Sequence, residues 1–171
     1  MPELIPKLKE ILVDPFDLLL DPNNPRYFTH EDERVAEADI ALNSVQENAH
    51  AKMQTYRIRQ LQASMIENGY VPTDAIFVTE HLDTGKYLVR EGNRRVTAIK
   101  GLLLDAKEPE CPAPLRKQLS KIKVLQVLKT SEQDLERQLS YLLGVRHHGS
   151  LKAWSPFARA QNAFKHYLEL A

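Results

Sequence analysis

Two adjacent arginines follow a glycine at residues 91–95, and this spacing is suited to binding phosphate. The segment is Glu91-Gly92-Asn93-Arg94-Arg95. If a helix begins near Asn93, its first backbone N–H groups have no acceptor within the helix and carry a partial positive charge. An anion fits such a helix start, and arginine side chains present planar forks that match phosphate oxygens. We therefore predict that Gly92, Asn93, Arg94 and Arg95 form a phosphate-binding turn.

The same residues also permit a plainer interpretation. A strand that bends at glycine into a helix can carry arginines that only solvate the surface. Glu91 is the one carboxylate beside them, so it is our candidate general base. It can equally be a structural carboxylate that neutralises the arginines.

Three further residues are candidates for the same anion site. Arg146 and His147 follow a predicted helix and could add charge-assisted contacts to phosphate, and Arg26 follows a proline in an early turn. Positive charge also favours a helix C-terminus, which is the alternative explanation for Arg146 and His147. We predict no metal site, because the adjacent His147 and His148 diverge in direction and no second ligand cluster is visible.

A hairpin and a helix must position the turn. Residues 75–80 are rich in strand-forming side chains, and residues 83–85 turn the chain into a second strand at 86–90. Apolar residues then recur at helical spacing after Asn93. They are Val96, Ile99, Leu102 and Leu103.

The rest of the chain predicts a small domain with both strands and helices. We predict a strand at 11–13, a helix at 56–68 capped by Gly69, a loop at 107–114, a strand at 122–128, and a helix that Ser131 starts and Gly144 stops. The fold class is α/β (α+β), with a small mixed sheet and surrounding helices. Ser155-Pro156 starts a further helix, so the expected organisation is a domain over 1–150 and a helical C-terminal arm over 151–171.

Composition limits the function classes. The 23 basic and 23 acidic residues give no net charge, which argues against a uniformly basic protein that coats nucleic acid. No apolar run is long enough for a membrane span, and the N-terminus lacks the layout of a secretion signal. The single cysteine, Cys111, cannot form an internal disulfide, so a cytoplasmic location is expected.

Several of these pieces, in order, resemble the ParB/sulfiredoxin superfamily and within it the N-terminal domain of ParB-type partition proteins. The matching pieces are residues 11–13, Pro25-Arg26, the helix ending at Gly69, Pro72, and residues 92–95 followed by Ala98. The resemblance implies a ParB/sulfiredoxin-like sheet and a site for a nucleoside triphosphate (CTP or ATP), with or without magnesium. It also implies a role in chromosome or plasmid partition in a bacterium or phage. DNA contact would then come through a longer full-length protein, and a homodimer is compatible with it.

The chain departs from the family pattern at two boxes. Asn93 replaces the glutamate of the first ParB box. The stretch matching the second box, residues 142–146, keeps only Arg146. Phosphate binding therefore follows from the resemblance more directly than metal-assisted hydrolysis. Asn93 also stands where sulfiredoxins have their cysteine, so a sulfiredoxin-type reductase is not expected.

The leading interpretation is a ParB-like module that binds a nucleoside triphosphate and couples ligand state to contact with DNA or a partner. One alternative is an enzyme on the same fold, namely a nucleoside triphosphate hydrolase, a small-molecule kinase or a nuclease. Another is a DNA-binding adaptor whose arginines contact backbone phosphate.

Overall fold

The computed structural model of the protein describes residues 6–24, 34–104, 110–128 and 131–148. Its strands are β1 (Leu8–Val13), β2 (Leu18–Leu19), β3 (Phe77–His81), β4 (Lys86–Glu91) and β5 (Ile122–Val127). Its helices are α1 (Asn43–Gln54), α2 (Ile58–Asn68), α3 (Asn93–Leu104), α4 (Ala113–Leu119) and α5 (Glu132–His148).

The strands form one mixed sheet in the order β1-β5-β3-β4-β2. Strand β5 pairs antiparallel with β1 and parallel with β3, while β4 pairs antiparallel with β3 and parallel with β2. This sheet with its surrounding helices confirms the predicted α/β class. The predicted hairpin and the helix beginning at Asn93 are also present.

Helices α1 to α4 pack against one face of the sheet, which we call the apolar face. Its cluster joins strand residues such as Val78, Val89 and Val124 to helix residues such as Met53 and Ile99. Apolar residues at helical and strand spacing predict this kind of packing, since each amphipathic element must bury its apolar side.

Helix α5 packs against the opposite face, which we call the α5 face. Phe77 and Val127 from the sheet meet Leu135 and Leu139 from the helix. Because side chains alternate along a strand, the residues two and four positions after Phe77 lie on this face as well. Both are polar: they are Thr79 and His81, and both are buried.

Three boundary predictions were wrong. Helix α5 continues past Gly144 to His148, because a buried glycine inside a helix costs stability without ending it. The predicted loop at 107–114 overlaps α4, whose Pro112 and Pro114 lie at the helix start, where proline is tolerated. Helix α2 begins at Ile58 rather than at residue 56, because Arg57 has a left-handed backbone (φ 58°).

No helix in the four described ranges is long and apolar enough to cross a membrane. The predicted C-terminal helix over 151–171 lies outside the described residues.

Candidate functional site

The junction between β4 and α3 requires a glycine at position 92 for two reasons. Gly92 has a positive φ of 100°, a backbone conformation that residues with a side chain rarely adopt. A Cβ atom there would also lie 2.9 Å from Ile76 Cγ1, inside normal contact distance. Helix α3 starts directly behind it, and Val96 N–H donates to the Gly92 carbonyl at 3.0 Å. The start of the helix is therefore fixed against the end of the sheet.

A β-bulge at the end of β4 redirects the side chains that precede the turn. Phe77 pairs with Glu91 while the next residue, Val78, pairs with Val89, so Arg90 is the extra residue. A bulge of this kind re-aims a side chain and increases local twist. Arg90 lies next to Thr79, and the Arg90 Nε donates to Thr79 Oγ1 at 2.9 Å. Glu91, the candidate general base, is half-buried at the bulge.

The side chain of Asn93 connects the helix start to an early loop of the chain. It is 3% exposed. Its Oδ1 accepts from Asp21 N–H at 2.9 Å, and its Nδ2 donates to the Val89 carbonyl at 3.0 Å. Since the side-chain amide is used inside the protein, any contact from Asn93 to phosphate is left to the main chain.

Arg94 and Arg95 occupy the first turn of α3, and both are half-buried. The Arg95 guanidinium donates to the carbonyls of Asp74 and Ala75, the latter at 3.1 Å. These bonds hold the Arg95 fork on the loop that leads into β3. Sequence reasoning placed both arginines at the helix start, and the structure brings them together there with Gly92 and Asn93.

A buried carboxylate and a third arginine lie beside the turn, and sequence reasoning missed both. Asp21 is 6% exposed, and its Oδ2 lies 4.0 Å from Arg90 Nη1. Burial raises the pKa of the Asp21 carboxyl, and the Arg90 charge opposes that rise. No local signal in the sequence marks this pair, because 69 positions of chain separate the two residues (90 − 21).

Helix α3 is also tied to strand β2 through a lysine. Lys100 Nζ donates to the Leu18 carbonyl. Burial, and secondarily the nearby Lys86 charge, lower the pKa of Lys100 to about 8, while Asp17 opposes the change. Lys100 and Asn93 together fasten α3 to residues 18–21.

A cleft of about 210 Å³ opens on the α5 face next to Arg90. Thr79, Leu82, Leu135 and Glu136 contribute to its walls. It lies between the β3–β4 hairpin and helix α5, and it contains the one arginine that the bulge redirects.

Three predicted site residues lie wholly or partly outside the described residues. Arg26 lies outside the described residues. Arg146 and His147 belong to α5, but their side chains are outside the described part of the structure. Within the described part, no group of three or more His, Cys, Asp or Glu residues could hold a metal ion. Cys111 is 4% exposed, and burial raises the pKa of its thiol, so the reactive thiolate form is disfavoured.

Comparison with known proteins adds no relative. No family model, curated protein or solved structure matches this chain.

Proposed function

We propose that this chain is a nucleotide-binding module of ParB type, which binds a nucleoside triphosphate at the β4–α3 junction. On this proposal, the ligand state governs contact with DNA or a protein partner through a longer full-length protein. The observation that carries the proposal is the fixed start of α3 behind Gly92, with two arginines in its first turn.

The electrostatics of this helix start favour an anion. A helix N-terminus is equivalent to roughly half a positive charge, and the twelve-residue α3 is long enough to have a developed dipole. Arg94 and Arg95 add two full charges within the same turn. A polyphosphate has several anionic oxygens, so it can contact the helix start and the arginine side chains at the same time. A single carboxylate would engage these donors less fully.

The bonds made by Arg95 fix the position of one of the two charges. Its guanidinium is held by the carbonyls of Asp74 and Ala75. Both Arg94 and Arg95 are assigned to the phosphate site, because both lie in the first turn of α3. Glu91 stays a candidate base for hydrolysis, to be tested by turnover rather than by binding.

Calorimetric titration with the four ribonucleoside triphosphates, with and without magnesium, tests the proposal. A charge-assisted hydrogen bond is worth roughly 1.5–3 kcal/mol, so Arg94→Ala should weaken binding about ten- to a hundredfold. Arg59→Ala is the matched control, because Arg59 is an exposed arginine on α2 and not part of the turn. The proposal is wrong if the Arg94→Ala/Arg95→Ala double variant binds like the unaltered protein while circular dichroism shows an intact fold.

The same samples also show whether magnesium is required for binding and whether the nucleotide is hydrolysed. Release of inorganic phosphate that disappears in Glu91→Gln while binding persists would favour a hydrolase on this fold. Binding of nucleotide without turnover supports the binding module.

A further inference from the structure

Arg90 lines the cleft on the α5 face. An arginine has five N–H donors in a planar fork. Arg90 uses Nε for Thr79, and its nearest carboxylate oxygen among the described residues is 4.0 Å from Nη1, beyond hydrogen-bond reach. Its side chain is only 16% exposed. The structure thus holds a largely buried charge that lines the cleft and has its nearest carboxylate at ion-pair rather than hydrogen-bond distance, which leaves terminal donors for a ligand.

The cleft has room for part of a nucleotide. Sites for whole small molecules usually measure roughly 300–1,000 Å³. The volume of about 210 Å³ is below that range. The lining residues extend from Arg90 along the β3–β4 hairpin to its turn. This length is ~13 Å along the strand.

The cleft and the phosphate turn are joined by one residue. Asp21 donates its N–H to Asn93 Oδ1 at the start of α3, and its carboxylate lies beside Arg90. Asp21 is therefore shared by the phosphate turn and the arginine that lines the cleft.

The charges in the cleft select the kind of group that can enter. Arg90 supplies donors, while the remaining charged lining residues are carboxylates: Glu37, Glu80, Asp83 and Glu136. An anion would be repelled by these carboxylates. A neutral ring with an acceptor edge for Arg90 and an amino group for a carboxylate satisfies both sets of groups.

We propose that this cleft holds the base of the bound nucleotide, with the Arg90 fork on an acceptor edge of the base. A lining carboxylate accepts from an exocyclic amino group, so bases that carry one are preferred. The inference rests on the proposed function, because it assumes that the phosphates occupy the β4–α3 junction. Thr79 is a positioning residue, since it acts by holding Arg90 Nε.

The experiment compares inorganic tripolyphosphate with nucleoside triphosphates by calorimetry. GTP and inosine triphosphate differ only in an exocyclic amino group, whereas CTP and UTP differ in the amino group and in the adjacent N3, which accepts in cytosine and donates in uracil. We expect the unaltered protein to bind the amino-bearing member ~10-fold more tightly. We expect Arg90→Ala to lose ~10-fold or more in nucleotide affinity without a change in tripolyphosphate affinity.

Three variants separate the possible failures. Arg94→Ala should weaken tripolyphosphate and nucleotides alike. Arg90→Lys keeps the charge without the fork, and it should lose base discrimination even if Arg90→Ala proves unstable. Thr79→Val should reduce the CTP-to-UTP ratio, which a role only in stability would leave unchanged.

The outcomes distinguish this inference from the proposed function. If tripolyphosphate binds and depends on Arg94, but Arg90→Lys and Arg90→Ala leave nucleotide affinity and base discrimination unchanged, the base lies elsewhere. Equal affinity for both members of each pair also overturns the inference. If neither tripolyphosphate nor nucleotide binds, the proposed function itself is wrong.

Discussion

Two neighbouring residues of β3 lie on opposite faces of the sheet, and the two faces differ in chemistry. Val78 is fully buried in the large apolar cluster under helices α1 to α4. Thr79, one position later, is buried on the opposite face and bonds Arg90. The first face gains stability from close packing. The second contains polar groups that must each find a partner, because an unpaired buried polar group is costly.

A binding site on the α5 face would disturb the fold less than one on the apolar face, because buried polar groups of the α5 face such as His81 are already paired locally. On the α5 face, His81 is 1% exposed. Its ring nitrogens lie 2.9 Å from Thr84 Oγ1 and 2.9 Å from the Glu37 carbonyl oxygen. These local bonds keep polar groups satisfied beside the cleft. The apolar face, in contrast, holds the turn at Gly92 in place by contact with Ile76.

The largest expected effect is from Gly92→Ala on the apolar side of the junction. The added methyl would lie 2.9 Å from Ile76 Cγ1, and the backbone would keep a φ of 100°. Overpacking and backbone strain together should lower the free energy of unfolding by about 2–4 kcal/mol. Urea denaturation measures this loss. Gly85→Ala is the control, because Gly85 also has positive φ but no atom near its missing Cβ. Equal losses in both variants would show that contact with Ile76 is unimportant.

A smaller loss should follow from Asn93→Ala, which affects the boundary between the two regions. The substitution leaves the Asp21 N–H and the Val89 carbonyl without their side-chain partner. Unsatisfied buried groups of this kind cost roughly 1–3 kcal/mol, and we expect a total of about 2–3 kcal/mol. The control is Asn68→Ala, whose side chain makes one exposed bond within α2. A stability within 0.5 kcal/mol of the unaltered protein, a margin of about the usual size for surface changes, would contradict the role of Asn93 as a connector.

Local elements were the part of the fold that the sequence could predict. The hairpin and α3 carry their own signals, namely a turn with glycine, strand-forming runs and apolar residues at helical spacing. Helix α4 was missed because its two prolines resemble a loop until their positions at a helix start are known. The continuation of α5 past Gly144 depends on burial, which the chain does not reveal locally.

The candidate site was predictable only in its contiguous part. Residues 92–95 are adjacent in sequence, so the turn could be proposed from spacing alone. Asn93 was assigned to phosphate, yet its amide bonds Asp21 across 72 positions of chain. Arg90 was not singled out, since its importance comes from a bulge and from Thr79 on the neighbouring strand. Long-range partners of this kind are set by tertiary structure.

Lys100 allows the comparison to be tested through pH. Its folded pKa of about 8 is below the ordinary value of 10.5, so the unfolded chain binds more protons between these two values. Stability should therefore rise as pH increases from 8 to 10.5, and the full penalty should be present below pH 8. The rise should be about 1–2 kcal/mol after allowance for solvent screening.

Urea denaturation at pH 7.5 and pH 10 measures the Lys100 effect as a difference from Lys100→Met. Subtraction removes titrations that both proteins share. The exposed Lys121, replaced by Met, serves as the control and should show no such difference. If unaltered protein and Lys100→Met change stability in parallel between the two pH values, Lys100 is not the source of the rise.

The smallest expected effect is from Tyr70→Phe, and its sign is the informative part. Tyr70 packs in the apolar cluster at 8% exposure, and its buried hydroxyl has no hydrogen-bond partner among the described residues. Burial raises the pKa of this hydroxyl. The ring does not depend on the hydroxyl for its position. The main chain of Tyr70 is held by Gln118, which accepts from Tyr70 N–H at 3.1 Å and donates to the Tyr70 carbonyl at 2.6 Å.

Removing the hydroxyl should therefore leave stability unchanged or raise it by up to about 1 kcal/mol, because a desolvated donor is lost together with its penalty. Thermal denaturation of Tyr70→Phe beside Tyr141→Phe, an exposed tyrosine on α5, provides the measurement. A loss of more than about 1 kcal/mol would mean that the hydroxyl makes a stabilising hydrogen bond. The apolar face would then depend on buried polar partners as the α5 face does, and the contrast between Val78 and Thr79 would no longer separate the two regions.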